Sequence, residues 1–318
     1  MTGEDPDLIL SVSRRTDIPA FYTDWFINRI KAGFVHVRNP MNYHQVSKVS
    51  LAPDVIDCMV FWTKNPTPIL DKLKLISNYN YYFQVTINAY DKEIERNVPE
   101  TNIIINTFQN LSMKIGKQKT IWRYDPIFYS SDIDLSYHLR NFGEIASQLT
   151  GFTNRCIISF ADVYRKTERN MRYIQPLSEY MMLEMGARLS AIAKSFDMEI
   201  MACSESIDLS PVGIKNAKCI DDSLISSIIG QKIYVDKDKN QRSECGCVTS
   251  VDIGAYNTCK HGCLYCYANY SDTSVKNNIL KHNPHSPFLI GDKEPDDKVT
   301  VRKMQSYINT QTSFLNSV

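Results

Sequence analysis

"CVTSVDIGAYNTCKHGCLYCYAN", residues 247–269, decides how this chain is read. Its first part, "CVTSVDIGAY" (247–256), is rich in apolar and β-branched residues and reads as a β-strand. Its second part places Cys259, Cys263 and Cys266 within eight positions. A strand therefore runs directly into a thiol-dense loop, and the question is what lies around it.

Working outward, seven more runs have the same form: a short apolar stretch, a polar cluster, then a helical pattern. "LILSV" (8–12) leads into Ser13, Arg14, Arg15, Thr16 and Asp17, and "FVHV" (34–37) into Arg38 and Asn39. "CMVFW" (58–62) leads into Thr63, Lys64 and Asn65, and "YYFQVTI" (81–87) ends at Asn88. "KTIW" (119–122) precedes Arg123, Tyr124 and Asp125, "CIISF" (156–160) precedes Asp162, and "EIMAC" (199–203) precedes Ser204 and Glu205. Nearly continuous hydrophobic runs suit parallel strands buried on both faces. Between them Leu135, Leu139, Phe142, Ile145 and Leu149 keep helical spacing, as do Met182, Met185, Leu189, Ile192 and Phe196. Asp134 is placed as an N-cap and Gly151 as a stop, and both stripes are read as core.

Repeated strand–helix units imply an α/β fold with a parallel sheet, and the count favours a TIM-like (β/α) barrel. In a barrel the polar clusters and the cysteine loop share the mouth at the carboxyl ends of the strands. The barrel is expected over residues 1–270, followed by a polar extension, 271–318, read as a turn or two of helix and a loose tail broken by Pro284, Pro287 and Pro295.

The chain has 318 residues, 43% of them apolar, and a formal charge of +1. That balance offers no global attraction for nucleic acid or anionic lipid. The opening "MTGEDPDLIL" is acidic where a secretory leader would be basic, and no run is long enough to span a membrane. The chain is read as cytoplasmic, where nine cysteines are expected as thiols or metal ligands rather than disulfides. Three thiolates in C-x3-C-x2-C leave one position open on a tetrahedral zinc or on a [4Fe-4S] cluster. His261 lies inside the loop but follows Cys259 by two positions, a poor fit to zinc-finger spacings. Tyr265 would shield a cluster. Cys203, Cys219, Cys245 and Cys247 make a second set, the usual count for a closed iron–sulfur cluster or a zinc, and Cys58 and Cys156 read as core. Lone His36, His44 and His138 carry no pattern. Of Trp62 and Trp122, one is available to stack on an adenine, against a default of core packing.

C-x3-C-x-aromatic-C after a strand resembles the signature of the radical S-adenosylmethionine (SAM) enzymes. "ILSVSRRTDIPAFY", "VFWTKNP", "WRYDP" and "CGC…DIGAYNTCKHGCLYCYAN" together resemble the domain of unknown function 1848 family. The resemblance implies an iron–sulfur enzyme whose open iron binds the amino and carboxylate groups of SAM. A reductant protein such as flavodoxin or ferredoxin would supply the electron that cleaves the sulfonium. In most radical SAM enzymes the loop follows the first strand; here it follows the last, as in a circularly permuted barrel whose last strand lies beside its first. The segment that usually receives the methionine group then corresponds to Ser13–Asp17. There Asp17 would accept from the amino group and Arg14 or Arg15 would clamp the carboxylate. No catalytic residue and no substrate are assigned. The alternative is a zinc-stabilised barrel that acts as a binding module without redox chemistry.

Overall fold

The structure, a computed structural model, describes residues 9–161, 170–304 and 306–307. Asp162, expected at the mouth, lies outside the described residues. Eight parallel strands form the main sheet: β1 (Ile9–Val12), β4 (Cys58–Thr63), β5 (Tyr81–Thr86), β6 (Thr120–Ile127), β7 (Arg155–Phe160), β8 (Glu199–Cys203), β9 (Lys215–Ala217) and β10 (Val251–Asp252). Their order is β10-β1-β4-β5-β6-β7-β8-β9. The strand that feeds the cysteine loop does lie beside the first: Leu10 pairs with Val251 and Ser11 with Asp252, in parallel. Among the described residues the edge strands β9 and β10 do not pair with each other, so the fold is an α/β parallel sheet with one unpaired seam.

The sheet nonetheless curls. Tyr82 Oη and Gln84 Nε2, in the middle of the sheet on β5, donate to the carbonyl of Cys219 just past β9, at 2.6 and 2.8 Å. Strand alternation splits the core accordingly. Ile9, Cys58, Val60, Tyr82, Ile121 and Ile157 face inward onto Ala217, Ile220 and Val248. Leu10, Met59, Phe61, Phe83, Trp122 and Ile158 face outward into the helical layer.

That layer includes α1 (Ile18–Phe21), α2 (Thr23–Ala32), α3 (Thr101–Ile115), α4 (Leu135–Leu149) and α5 (Glu179–Ser195). Asp134 caps α4 as expected, accepting from Tyr137 N at 2.8 Å. Gly151, two residues past α4, takes a positive φ of 82° that favours glycine. Met185 and Leu189 of α5 are buried, with Met182, Ile192 and Phe196 packed on the same core. Cys58 and Cys156 are fully buried, as their apolar runs imply.

Two expectations need correction. "FVHV" is not a strand of the main sheet. It is β2 (Phe34–Asn39), which turns through Pro40–Met41 into β3 (Asn42–Ser50) as an antiparallel hairpin. The parallel count of eight is completed instead by the three-residue β9. Among the described residues, the region after residue 270 is not loose. It contributes α7 (Asp272–Leu280), numbered after α6 (Asp222–Ile229), and β11 (Lys298–Val301), which pairs parallel with β3. Trp25 Nε1 and Arg29 Nη2 of α2 donate to the carbonyls of Ser286 and His285, tying this segment to the body. Among the described residues no helix is long and apolar enough to cross a membrane.

Candidate functional site

The carboxyl ends of the parallel strands surround a cavity of about 520 Å³. Ser13–Asp17 after β1, Trp62 and Thr63 of β4 with Lys64 just past it, Arg123 and Asp125 of β6, Ser159 of β7 and Glu205 after β8 all line it. So do all seven candidate ligand cysteines: Cys259, Cys263, Cys266, Cys203, Cys219, Cys245 and Cys247. Arg38 does not. It reaches Asp297 instead, with Nη1–Oδ1 at 2.5 Å and Nη2–Oδ2 at 2.8 Å, because its strand belongs to the side sheet. Trp122 is also absent from the lining. It is buried against Phe142, ring centroids 4.6 Å apart, whereas Trp62 faces the cavity under the Arg14 guanidinium.

The β1 end is held by Asp252. Ser11 Oγ and Arg14 N donate to Oδ2 at 2.6 and 2.8 Å; Ser13 Oγ and Gly254 N donate to Oδ1 at 2.6 and 2.9 Å. A carboxylate that accepts four hydrogen bonds fixes where Arg14 and Arg15 leave the sheet. Arg14 packs over Trp62, its carbonyl accepts from Tyr267 Oη at 2.8 Å, and Arg15 lies over the Tyr256 ring. Asp17 caps α1 through Ala20 N at 2.9 Å. Its Oδ2 accepts from Lys64 N at 2.7 Å and meets His261 Nε2 at 2.8 Å. A carboxylate has about four acceptor positions, so Asp17 keeps room for one further donor.

The cysteine loop is strapped to the segment after β5. Leu264 N donates to Ile94 O and Asn97 N to His261 O, at 3.0 and 2.9 Å. Beneath it lies a buried polar network. Lys64 Nζ donates to Glu95 Oε1 at 2.9 Å; Asn88 Nδ2 donates to the same oxygen at 3.0 Å, and so does Tyr265 Oη. Burial works against the Glu95 carboxylate, but Lys64 and these hydrogen bonds hold it below the usual carboxylate range. Burial pushes the Cys259 and Cys263 thiols up; Cys266 adds to both as a neighbouring negative charge, and Lys64 opposes the rise at Cys263. Cys259 and Cys263 would therefore be thiolates only with a cation to hold them.

The second set gathers at the far wall. Cys203 and Cys219 bring their sulfurs to 2.9 Å. Arg123 Nη1 donates to Cys219 Sγ at 3.0 Å and to Gln84 Oε1 at 2.9 Å, while Nε and Nη2 hold Asp125 Oδ2 at 3.0 and 2.7 Å. Contact with Cys203 and Cys247, reinforced by Arg123, pulls Cys219 well below an ordinary thiol. A hydrogen bond with Cys247 lowers Cys245 to about 6. Among the described residues no group of three or more His, Cys, Asp or Glu is already disposed to hold a single ion.

Sequence reading missed Asp252, Glu95 and Gln84, and named Asn88 only as the polar end of "YYFQVTI". A lone aspartate inside an apolar strand and a glutamine inside "YYFQVTI" were the available signals, since a polar group buried in a sheet must find partners. Glu95 sits in a polar loop and gave none.

A parallel α/β sheet with a thiol-lined cavity at its carboxyl edge defines the class. The chain belongs to the family described as domain of unknown function 1848, whose model matches residues 9–268. No curated protein matches it. Among solved structures it is similar to one described as "a putative alpha-L-fucosidase from Bacteroides thetaiotaomicron VPI-5482", at 10% identity and a TM-score of 0.27, over 57% of this chain and 76% of that one. A likeness that weak carries no argument.

Proposed function

We propose that the chain is a radical SAM-type enzyme of the (β/α) barrel class, permuted so that the cysteine-loop strand comes last. The observation that carries this reading is the convergence of Cys259, Cys263 and Cys266 on the cavity that also receives Arg14, Arg15 and Asp17. Cys259, Cys263 and Cys266 would hold a [4Fe-4S] cluster, which when bound supplies the electron that cleaves the sulfonium of SAM. A cavity of about 520 Å³ is within the ordinary range for a ligand of that size, about 300–1,000 Å³. Arg14 and Arg15 offer the planar donors that suit a carboxylate. Asp17, with one acceptor position left, suits an ammonium. Tyr265 and the Lys64–Glu95 pair form the wall beside Cys263. Trp62 is the aromatic face open to an adenine. Flavodoxin or ferredoxin is the class of reductant such chemistry needs.

One observation favours the zinc-stabilised binding barrel. His261 Nδ1 is buried without a hydrogen-bond partner while Nε2 meets Asp17. A carboxylate that orients a histidine in this way is a common support for a zinc ligand. The two readings part on product analysis. Anaerobically reconstituted protein, reduced and given SAM, is expected to release methionine and 5′-deoxyadenosine, and the Cys263→Ala variant to release neither. Intact SAM with an iron-loaded wild-type protein would overturn the radical reading.

A further inference from the structure

The second cysteine set stands at a particular place in the topology. β9 and β10 are the two edges of the eight-stranded sheet, and they do not pair among the described residues. Cys203 ends β8, Cys219 lies two residues past β9, and Cys245 and Cys247 precede β10. The four thiols therefore come from both sides of the seam. Across the seam Val248 N donates to Ile220 O at 3.2 Å and Ile220 N to Cys247 Sγ at 3.4 Å, and Ala217 and Ile220 pack with Val248.

We propose that Cys203, Cys219, Cys245 and Cys247 bind a thiophilic metal centre that clamps the two edges of the sheet together. Four cysteines complete either a tetrahedral zinc or a closed iron–sulfur cluster. Cys219, Cys245 and Cys247 are each at most 6% exposed, so the set is gathered out of bulk water. Two N–H donors, Arg123 Nη1 and Ile220 N, already point at sulfurs. Such hydrogen bonds are the outer support that metal–thiolate sites use. The backbone is fixed where it must be: the carbonyl of Cys219 takes two side-chain hydrogen bonds from β5, and Asp238 N donates to Cys247 O at 2.9 Å. Sulfurs on one tetrahedral zinc stand about 3.8 Å apart, given a Zn–S bond of about 2.3 Å. The Cys203–Cys219 pair, at 2.9 Å, must open by about an ångström to share such an ion, a side-chain adjustment. Plain buried cysteine does not account for four thiols drawn to one seam from three separate segments.

This centre does not depend on the radical SAM reading of the first loop. The test uses the full chain carrying Cys259→Ala, Cys263→Ala and Cys266→Ala, purified without oxygen, with zinc, iron and acid-labile sulfide measured per chain. One retained centre is expected, lost when Cys219→Ser or Cys247→Ser is added. Zinc without sulfide identifies a single ion, and iron with matching sulfide identifies a cluster; either supports the proposal. Chelation of the triple variant is expected to speed hydrogen exchange across residues 215–220 and 247–252, a readout that stands even if the added serine variants fold poorly. A folded triple variant that carries no metal, or unchanged exchange after its metal is removed, would overturn the clamp.

Discussion

Lys64 and Glu95 form the kind of buried pair whose members depend on each other. Their side chains are 14% and 4% exposed. Removing one charge leaves the other uncompensated in a dry site, which typically costs about 3–5 kcal/mol. Lys64→Met is therefore expected to lower unfolding free energy in urea by that order, and the double variant Lys64→Met/Glu95→Gln to recover part of it. Additive losses in the double variant would show that the two do not act as a pair. Asp252 is the other residue on which much converges. Replacing it with Ala strands the hydroxyls of Ser11 and Ser13 and two backbone N–H groups. The expected loss is about 3 kcal/mol or more, at about 1–3 kcal/mol per unsatisfied buried group, read by the same denaturation. Charge-pattern reading found Asp17, Arg14 and Arg15 because they cluster after a strand. It could not find Asp252, three of whose four partners lie some 240 positions away in sequence.

Elements succeed or fail here by how their ends are set. Gly254 joins β10 to the cysteine loop, and a Cβ there would fall 2.1 Å from Ser13 Oγ and 2.6 Å from Ser13 Cβ. Gly254→Ala is expected to push the end of β1 from β10 and to lower stability by about 2 kcal/mol, the cost of overpacking, with faster hydrogen exchange at Leu10 and Ser11. An unchanged exchange pattern would contradict the close approach. On α4, His138 is fully buried between Tyr124 Oη, 2.9 Å from Nδ1, and Phe128 O, 2.9 Å from Nε2. Burial lowers it to about 4, so the folded state holds the neutral ring. Below its unfolded pKa of about 6.5 the unfolded chain binds the extra proton and the folded chain does not. Its contribution is thus complete above about 6.5 and falls away as pH drops toward 4. His138→Gln is expected to flatten that part of the stability–pH curve. The parallel strands were legible because burial on both faces makes their sequences continuously apolar. "FVHV" looked the same, but the alternating "NYHQVSKVS" that follows its two-residue turn marks a half-exposed hairpin. β9, "KNA", is too short and polar to be read at all; its place comes from pairing with β8.

At the scale of the molecule, strand order does what sequence order obscures. The cysteine loop is late in the chain yet sits beside β1, because β10 pairs with it. The thiols of both sets, separated by up to 63 positions, thereby face one cavity. The clustering of the second set was visible only as a count of four. Its position at the seam depends on which strands are edges, which no spacing reveals. A side sheet of β2, β3 and β11 lies apart from this chemistry and keeps its own anchor, the Arg38–Asp297 pair. The central claim is that the loop of Cys259, Cys263 and Cys266 carries an open iron–sulfur cluster that meets SAM. It is tested most directly by electron paramagnetic resonance of the anaerobically reconstituted, reduced protein, recorded with and without SAM. The account predicts a reduced-cluster signal that changes when SAM is added and disappears in Cys263→Ala. A protein that takes up zinc and no iron, or whose iron signal ignores both SAM and the Cys263 substitution, would contradict it.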